Sequence, residues 1–444
     1  MARSRRFTSL AALGVAGTLM LAACSGGTEA QGGPDEKGRT PLDMWVFAEL
    51  HATYYEQMAE RWNEENPDRP INLKVTVYPY DDMHNKLLLA ANSGSGLPDV
   101  VDIEVSQFSN FVGEGGKSPL SDLTKAAAPY KDDIVQARLD LYNRDGVQYG
   151  LPTHVGAFVA FYNTPLLKAA GIDYSTIETW EDFQEAGAAY NKATGKAFGV
   201  ASTGVDMVEP LIVAQLGGSY FADDGSVAVN SPEVVEALEL EQGMQEAGAI
   251  STIPGGSPDA EEAFGAINDG DYAAIVYPAW YTSRFVDYMP DLAGDIAIAP
   301  APVVDGAEVA TIGGGGTGAA VPEASPNKEI AVEWLAFAKL SPEANVAVWE
   351  VLGFDPVNMA VWEDKEVTHN PDNKFNKYFQ TNLFDVLNEF KDEIGHFESF
   401  TNPNLPAVDD VFTTVTFTKI FEDGVPPQDA LDQAQRDLEN QIGE

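Results

Sequence analysis

Apolar and polar positions after residue 40 follow strand-like and helix-like patterns in turn. Residues 42–47 form a mostly apolar run typical of a buried strand, and apolar residues alternate strictly with polar ones over residues 71–77. A helical face of apolar residues runs through residues 54–62 between them, and a second helix is predicted over residues 80–91. A third strand follows at residues 100–103. This β-α-β-α-β order predicts a largely parallel sheet covered by helices.

A second alternating series follows residue 149. It contains predicted strands over residues 158–162, 273–276 and 296–299. Thr179, with Asp182 three residues later, predicts the start of a helix, and another helix is expected over residues 233–247. The chain is therefore predicted to form two α/β lobes.

The C-terminal third is predicted to be helical. Ser325-Pro326 and Ser341-Pro342 each predict a helix start, and residues 428–442 have an amphipathic helical pattern. Three tryptophans lie on apolar helix faces and are assigned to the core: Trp62, Trp334 and Trp349.

The first 24 residues have the pattern of a secretory signal. Three arginines precede an apolar run over residues 10–23, which is too short for a comfortable membrane span. Leu21-Ala22-Ala23-Cys24 resembles a bacterial lipobox, in which the cysteine is acylated. We therefore expect a lipoprotein signal peptide over residues 1–23, lipidation at Cys24 and a flexible, Gly-rich tether over residues 24–40. The alternative is a plain signal peptide with an incidental cysteine.

Composition narrows the range of functions. The 444 residues include 26 Lys and Arg against 69 Asp and Glu, a net charge of −43, which argues against binding to nucleic acid. The 44% hydrophobic content excludes a disordered acidic protein. A single cysteine excludes intramolecular disulfides and Cys-based zinc sites.

Sequence motifs of catalysis are mostly missing. The chain has neither a Gly-x-Ser-x-Gly elbow nor a His-Glu-x-x-His metal helix. The glycines at 313–316 lack the Lys and Ser/Thr of a phosphate loop, so they indicate a hinge or a backbone that approaches a ligand. We therefore predict a non-enzymatic protein without cofactor or metal. A glycosidase using Glu49 and Glu104 as paired carboxylates stays a minor alternative, and Asp81, Asp82 and His84 are more consistent with a solvated helix start than with metal ligands.

Several segments resemble the carbohydrate-binding components of ABC importers. The first strand and helix are similar over LDMWVFAELHATYYEQMAERWNEENPD, and the third strand over SGSGLPDVVDIEVSQFSNFV. VQYGLPTHVGAFVAFYNTPLLKAAGI and GGGGTGAAVPEASPNKEIAVEWLAFAKLSPEA resemble the first and return crossovers between lobes. VTVYPYDDMHNKL, PAWYTSRFVDYMPDL and VLGFDPVN resemble most closely the L-arabinose and arabino-oligosaccharide-binding lipoproteins. Departures concentrate at Phe158 and residues 204–208.

The resemblance implies a type II periplasmic-binding-protein-like fold with two lobes. Each lobe is expected to be a mostly parallel sheet flanked by helices, with the ligand in the cleft between lobes. Lobe 1 maps to residues 41–155 with 312–357, and lobe 2 to residues 156–311 with 358–444. The implied protein is a monomer, anchored to the outer face of the cytoplasmic membrane, that passes an arabinose-type oligosaccharide to ABC permease subunits. A galactoside or another oligosaccharide is the alternative ligand.

Two predicted strand ends supply candidate sugar-binding residues, because ligands of open α/β sheets bind beyond the carboxyl ends of strands. Phe47, Glu49 and His51 follow the first strand, with a helix cap as the competing role of Glu49. Asp102 and Glu104 end the third strand, where one is expected to accept sugar hydroxyls and the other to cap a loop.

The remaining candidates depend partly on the resemblance. Trp280 and Tyr281 follow a strand and a Pro-Ala turn, and an aromatic ring there suits the C–H face of a sugar, although a core position is the alternative for Trp280. The crossover segment and the family pattern supply the others: His154, Gly156, Asp206 and Phe354. For His154 the alternative is a structural histidine at the lobe junction.

Overall fold

The computed structural model describes residues 33–112 and 118–443. Cys24, the predicted signal peptide and the first part of the predicted tether lie outside these residues. The strands are β1 (Thr40–Val46), β2 (Ile71–Val77), β3 (Val100–Glu104), β4 (Asn143–Arg144), β5 (Val147–Gln148), β6 (Leu151–Pro152), β7 (Phe158–Asn163), β8 (Gly199–Ala201), β9 (Ile250–Thr252), β10 (Ala274–Pro278), β11 (Ile296–Pro300), β12 (Thr311–Ile312), β13 (Thr317–Ala320) and β14 (Ile394–Gly395).

Helices surround these strands. They are α1 (Glu49–Glu65), α2 (Tyr80–Ser93), α3 (Val105–Phe108), α4 (Thr124–Ala127), α5 (Gln136–Asp140), α6 (Thr164–Ala170), α7 (Trp180–Thr194), α8 (Val208–Gln215), α9 (Pro232–Glu246), α10 (Glu261–Asn268), α11 (Thr282–Tyr288), α12 (Lys328–Leu340), α13 (Pro342–Ala347), α14 (Ala360–Glu363), α15 (Lys365–Thr368), α16 (Lys374–Tyr378), α17 (Leu383–Leu387), α18 (Leu405–Val411), α19 (Phe417–Phe421) and α20 (Pro427–Ile442). Within the described ranges, no helix combines the length and hydrophobicity that crossing a bilayer requires.

The first sheet has the strand order β2-β1-β3-β13-β6. Its β1, β2 and β3 pair in parallel, which confirms the β-α-β-α-β prediction. By contrast, β13 is antiparallel to both β3 and β6. The chain thus returns late to complete a sheet that its first third began.

The second sheet corrects one detail of the predicted architecture. Its order is β10-β7-β11, and β7 pairs antiparallel with both neighbours rather than in parallel. The strands β10 and β11 run in the same direction, joined through helix α11, but β7 lies between them. The strand β7 enters the second sheet from β6 of the first sheet, whereas β10 and β11 are connected to each other within the second sheet. The α/β class itself is confirmed.

Local signals located several of the longer helices. Helix α7 begins with the predicted capping box, in which the Thr179 hydroxyl accepts from the Asp182 N–H while the Asp182 carboxylate accepts from the Thr179 N–H. Helix α13 begins after Ser341 as predicted. Helix α12, however, begins at Lys328 instead of Ser325-Pro326, and the Ser325 hydroxyl donates to the Asp99 carboxylate at 2.5 Å.

The core lies on both faces of the two sheets, and the assignment of three tryptophans to it is confirmed. Trp62, Trp334 and Trp349 are all buried. The first sheet is built from residues that the predicted lobe 1 contains, except for Thr40, and β7, β10 and β11 fall within predicted lobe 2. The residue boundaries of the two lobes stay a prediction.

Candidate functional site

Three chain segments pass between the two sheets and meet side by side. They are residues 152–158, 312–317 and 353–358, and together they form what we call the crossover junction. The Gly314 N–H donates to the Gly156 carbonyl at 2.8 Å, and the Val155 N–H donates to the Asp355 carbonyl at 2.9 Å. Because backbone bonds join all three segments, the junction is one connected unit.

Asp355 lies in the third segment of the junction and binds the backbone of the first segment. Its carboxylate is fully buried and accepts from the N–H groups of Gly156 at 2.9 Å and Ala157 at 2.8 Å. Burial raises the pKa of Asp355 to about 7, against the opposing effect of these two hydrogen bonds. Sequence reasoning missed this residue, since an aspartate in a Phe-Asp-Pro segment carries no local signal of burial.

Gly156 is a site of close backbone approach. Its φ is +72°, and a Cβ there would lie 2.7 Å from the Gly314 carbonyl oxygen. Glycine is therefore required at this position because the neighbouring crossover segment lies so close, whereas the sequence led us to expect a ligand there.

Four of the predicted binding residues come together beside the junction. The ring of Phe354 lies 4.7 Å from that of His154 and 6.4 Å from that of His51, and the His51 ring lies 5.0 Å from that of Phe47. Phe47 is only partly buried, whereas the other three are largely enclosed. These rings form an aromatic wall at the carboxyl end of β1.

His154 is enclosed without a hydrogen-bond partner. It is 3% exposed, and neither ring nitrogen bonds to any of the described residues. Burial lowers its pKa well below the usual range, and Arg138, His51 and Lys339 add to that effect. A neutral imidazole offers one donor and one acceptor, and here both nitrogens are enclosed and bond to no described residue.

Asp102 anchors a buried polar network behind that wall. Its carboxylate accepts from the Tyr55 hydroxyl and lies 3.0 Å from His51 Nδ1. Lys339 Nζ is 3.9 Å from the same carboxylate and 2.5 Å from the Thr153 hydroxyl. With Asp102 accepting at Nδ1, a neutral His51 carries its proton there and presents Nε2 as an acceptor.

Glu104 takes the capping role that was left open between the two acids of β3. Its carboxylate accepts from the Ser106 N–H at 2.8 Å at the start of α3, from the Ser106 hydroxyl at 2.5 Å and from the Tyr80 hydroxyl at 3.3 Å. Burial raises its pKa. Asp102 is fully enclosed instead, so neither carboxylate is a freely exposed hydroxyl acceptor.

Tyr80 is a candidate that sequence reasoning missed. Its side chain is 37% exposed, and its ring lies 5.3 Å from Phe47 and 4.5 Å from His84. Its place at the start of α2 gave it no distinguishing pattern, and the available signal is that it lies three residues after the end of β2. His84 is held by the Tyr80 carbonyl at Nδ1 and by the Glu104 N–H at Nε2. Among the described residues, no three His, Cys, Asp or Glu side chains are placed to hold a metal ion.

Glu49 does not share the enclosed environment of these residues. It is exposed in the first turn of α1, where a carboxylate interacts favourably with the helix dipole. It is not the helix cap that competed with binding, because Ala48 occupies the N-cap position and no side chain caps the helix.

Trp280 and Tyr281 are both buried, with ring centroids 6.2 Å apart, but they have different hydrogen-bond partners. Trp280 is 9% exposed, and its Nε1 donates to the Gly314 carbonyl at 3.1 Å, which joins it to the junction. The Arg284 guanidinium lies 5.3 Å from its ring centroid. Tyr281 is fully buried and donates to the Pro258 carbonyl at 2.6 Å, so it is a core residue here.

Asp206 belongs to a cluster of buried acids on the side of the second sheet. One of its carboxylate oxygens accepts from the Val208 N–H at 2.8 Å, while the other has no partner among the described residues. Burial raises its pKa to about 6 and raises the pKa values of Glu209 and Glu241 well above their usual range. The Tyr220 hydroxyl donates to Glu209. Glu209 and Glu241 escaped sequence reasoning because acids on helices are usually exposed.

Known proteins share both the sequence and the fold. The family described as bacterial extracellular solute-binding protein matches residues 48–345. An arabinooligosaccharide-binding protein of Bacillus subtilis (strain 168) is 39% identical over 426 residues, covering 95% of this chain and 96% of the relative. A protein of the same name from Halalkalibacterium halodurans is 39% identical over 409 residues, covering 92% and 91%.

A solved structure shows the same fold at low identity. The ABC transporter associated binding protein from B. animalis subsp. lactis Bl-04, in complex with β-1,6-galactobiose, superposes with a TM-score of 0.73 at 21% identity. The match covers 90% of this chain and 97% of that one.

Proposed function

The chain belongs to the bacterial extracellular solute-binding protein family, and from that premise we propose that it captures arabino-oligosaccharides for an ABC importer. In this role it binds the sugar outside the cytoplasmic membrane and delivers it to separate permease subunits. The observation that carries the proposal is the 39% identity to an arabinooligosaccharide-binding protein across 95% of the chain.

The geometry beside the crossover junction supports a sugar as the ligand. Sugars present C–H faces and hydroxyl groups, and their sites combine aromatic rings with a few polar groups. Phe47, Tyr80 and Phe354 supply rings on the first-sheet side, and His154 supplies a donor and an acceptor without protein partners. From the second-sheet side, Trp280 reaches the junction. We propose that the sugar lies between these groups.

Titration calorimetry against a sugar panel tests the ligand. The panel is arabinose, arabino-oligosaccharides of increasing length, lactose and raffinose. We expect arabino-oligosaccharides to bind most tightly and to raise the melting temperature, because a ligand that binds only the folded state stabilises it. Tight binding of lactose or raffinose alone would replace the proposal with a galactoside importer, and binding of none of these sugars would contradict it.

The same incubations separate binding from catalysis. As a binding protein, the chain should return each oligosaccharide intact after prolonged incubation. Glu49 is exposed at a helix start and Glu104 caps α3, so their surroundings do not suggest an acid–nucleophile pair. Shorter sugars that appear at enzyme-like rates, and vanish in the Glu49→Gln or Glu104→Gln variant, would establish the glycosidase alternative.

We further propose that Cys24 is lipidated and anchors a monomeric protein to the outer face of the membrane. The chain's single cysteine ends a lipobox-like Leu-Ala-Ala motif after an apolar run. In cells that express the full chain, Cys24→Ser should move the protein from the membrane fraction to the medium. Unchanged retention of the variant in the membrane fraction would contradict anchoring.

A further inference from the structure

The four consecutive glycines of residues 313–316, here called the tetraglycine segment, have every carbonyl engaged. Arg138 donates to the Gly313 carbonyl at 3.1 Å and to the Gly315 carbonyl at 2.7 Å. The Gly316 carbonyl accepts from the Tyr142 hydroxyl at 3.1 Å and from the Val105 N–H at 2.9 Å. These donors all lie on the first-sheet side.

The remaining carbonyl of the segment bonds to the other side. Gly314 accepts from Trp280 Nε1 at 3.1 Å, and Trp280 follows β10 of the second sheet. A run of glycines would ordinarily be the most flexible part of a crossover. Here side chains from both sides hold it, so its freedom is limited by their hydrogen bonds.

Glycine is required in this segment because the donors lie so close. A Cβ at Gly313 would lie 2.2 Å from the Arg138 guanidinium, and one at Gly316 would lie 2.0 Å from it. Gly316 also has φ +141°, which residues with a side chain rarely adopt. The tetraglycine sequence and the buried arginine therefore fit each other.

Arg138 uses its charge on backbone carbonyls. It is 2% exposed, no described carboxylate forms an ion pair with it, and its Nε has no described partner. Enclosing a cation without a paired anion is costly, so a buried arginine that only fills space would be a poor choice. Its planar guanidinium donates to two carbonyls that lie two residues apart, which few other side chains can do.

We infer that Arg138 is a positioning residue for sugar binding, which holds the tetraglycine segment so that Gly314 receives the indole of Trp280. The inference rests on the proposed function for its ligand but on the hydrogen bonds of the tetraglycine segment for its mechanism. Tyr142 assists from the same side by holding Gly316. Trp280 thereby joins the second sheet to the junction at the place where the sugar is proposed to lie.

Arg138→Lys tests this directly, because a lysine keeps the charge but has a single donor group that cannot fork. The readout is the set of indole N–H signals of the seven tryptophans in ¹⁵N-labelled protein, with Trp280 assigned as the signal missing from Trp280→Phe. We expect the Trp280 signal to move in ligand-free Arg138→Lys while the other six stay. The dissociation constant for the sugar that binds the wild type should rise about tenfold.

Controls separate positioning from general damage. Arg144 is only partly enclosed and donates to the Asn143 carbonyl at 2.8 Å, not to the tetraglycine segment. We therefore expect Arg144→Lys to leave the Trp280 signal and the affinity unchanged. Tyr142→Phe removes one hydroxyl only and should shift the Trp280 signal and raise the dissociation constant about threefold. Tyr142→Phe replaces Arg138→Lys as the test if Arg138→Lys does not fold.

A double substitution adds a second criterion. Once Trp280→Phe has removed the indole donor, adding Arg138→Lys should weaken binding by much less than it does in the wild type. The inference is overturned if Arg138→Lys and Tyr142→Phe lower the melting temperature but leave the Trp280 signal and the affinity in place. If the wild type binds no sugar of the panel, the proposed function fails, while the ligand-free signal still decides the role of Arg138.

Discussion

Buried ionisable groups are handled in opposite ways on the two sides of the crossover junction. On the first-sheet side, Asp102 is fully enclosed but has the Tyr55 hydroxyl, His51 and Lys339 around it. On the second-sheet side, Glu209 and Glu241 are equally enclosed, and each keeps an oxygen without a described partner. The first arrangement surrounds its carboxylate with hydrogen-bond donors and a lysine, whereas the second leaves carboxyl oxygens without such partners, and burial raises the pKa values of Glu209 and Glu241.

The buried acids with raised pKa values imply a dependence of stability on pH. An acid whose pKa is raised by folding holds a proton that the unfolded chain releases, so its contribution to stability is largest at low pH and falls as pH rises through the folded pKa. For Asp206 this window runs from 3.8 to about 6, and for Asp355 from 3.8 to about 7.

The largest effect is expected from breaking the paired side. Asp102→Asn removes the anion next to the buried Lys339. Its amide oxygen can accept from only one of the two donors, Tyr55 and His51, and its NH2 group then faces the other. Removal of one partner from a buried ion pair typically costs about 3 kcal/mol or more. Urea unfolding at pH 7 measures the loss.

An exposed pair provides the matched control for that substitution. Asp372 bonds to Lys377 while 92% of its side chain is exposed, so Asp372→Asn should leave the urea midpoint almost unchanged. Equal small losses for both variants would mean that the buried network contributes no more than a surface pair.

A smaller effect of opposite sign is expected on the second-sheet side. Glu241→Gln removes an acid that faces Asp206 and Glu209, and its amide can donate to the Asp206 carboxylate. We expect the variant to gain about 1 kcal/mol of unfolding free energy at pH 8, and to lose part of the rise in melting temperature between pH 8 and pH 5. Melting curves across that range measure both.

The control lies on the same helix. Glu236 is exposed on α9, so Glu236→Gln changes the net charge by the same amount without touching the cluster. If both variants alter the pH profile equally, the general repulsion of a highly acidic chain is responsible and the cluster is not.

The smallest effect on stability, with a clear effect on binding, is expected at His154. Its two ring nitrogens have no described partners, so His154→Leu exposes no new unpaired group and should leave the melting temperature unchanged or slightly higher. Loss of hydrogen bonds to the sugar should weaken binding about tenfold, or about 1.4 kcal/mol. Calorimetry on the folded variant measures it.

His369 supplies the comparison for this variant. Its side chain is 34% exposed and bonds to Asp385 in the C-terminal third, so His369→Leu should keep the wild-type affinity. A His154→Leu variant that melts early and binds normally would make His154 a structural histidine, the alternative that the sequence left open.

Much of the fold could be predicted because its signals are local. The strands β1 to β3, the helices between them and the capping box of α7 each depend on residues a few positions apart. The short helices between residues 360 and 421 were not predicted, since one or two turns leave little periodicity. The antiparallel placement of β7 was also missed, because it depends on where the chain enters the second sheet.

The candidate site was likewise predicted only in part. Strand ends pointed to Phe47, His51 and Asp102, and the structure places them together with Phe354. The same rule also selected Glu49, which is exposed at a helix start, because a strand end does not determine which way a side chain faces. Tyr281 followed the same turn as Trp280 yet lies in the core.

The sequence by itself determined the family, the α/β class and the order of the main elements, because hydrophobic period, helix caps and segment similarity are all properties of neighbouring residues. Only the tertiary structure decided how the tetraglycine segment is held, since Arg138 and Gly315 are 177 positions apart. The same holds for Asp355, whose two bonds reach back almost 200 positions to the first crossover. Burial and pairing depend on such distant contacts, and they decide which polar groups are satisfied within the protein and which are left for a ligand or a proton.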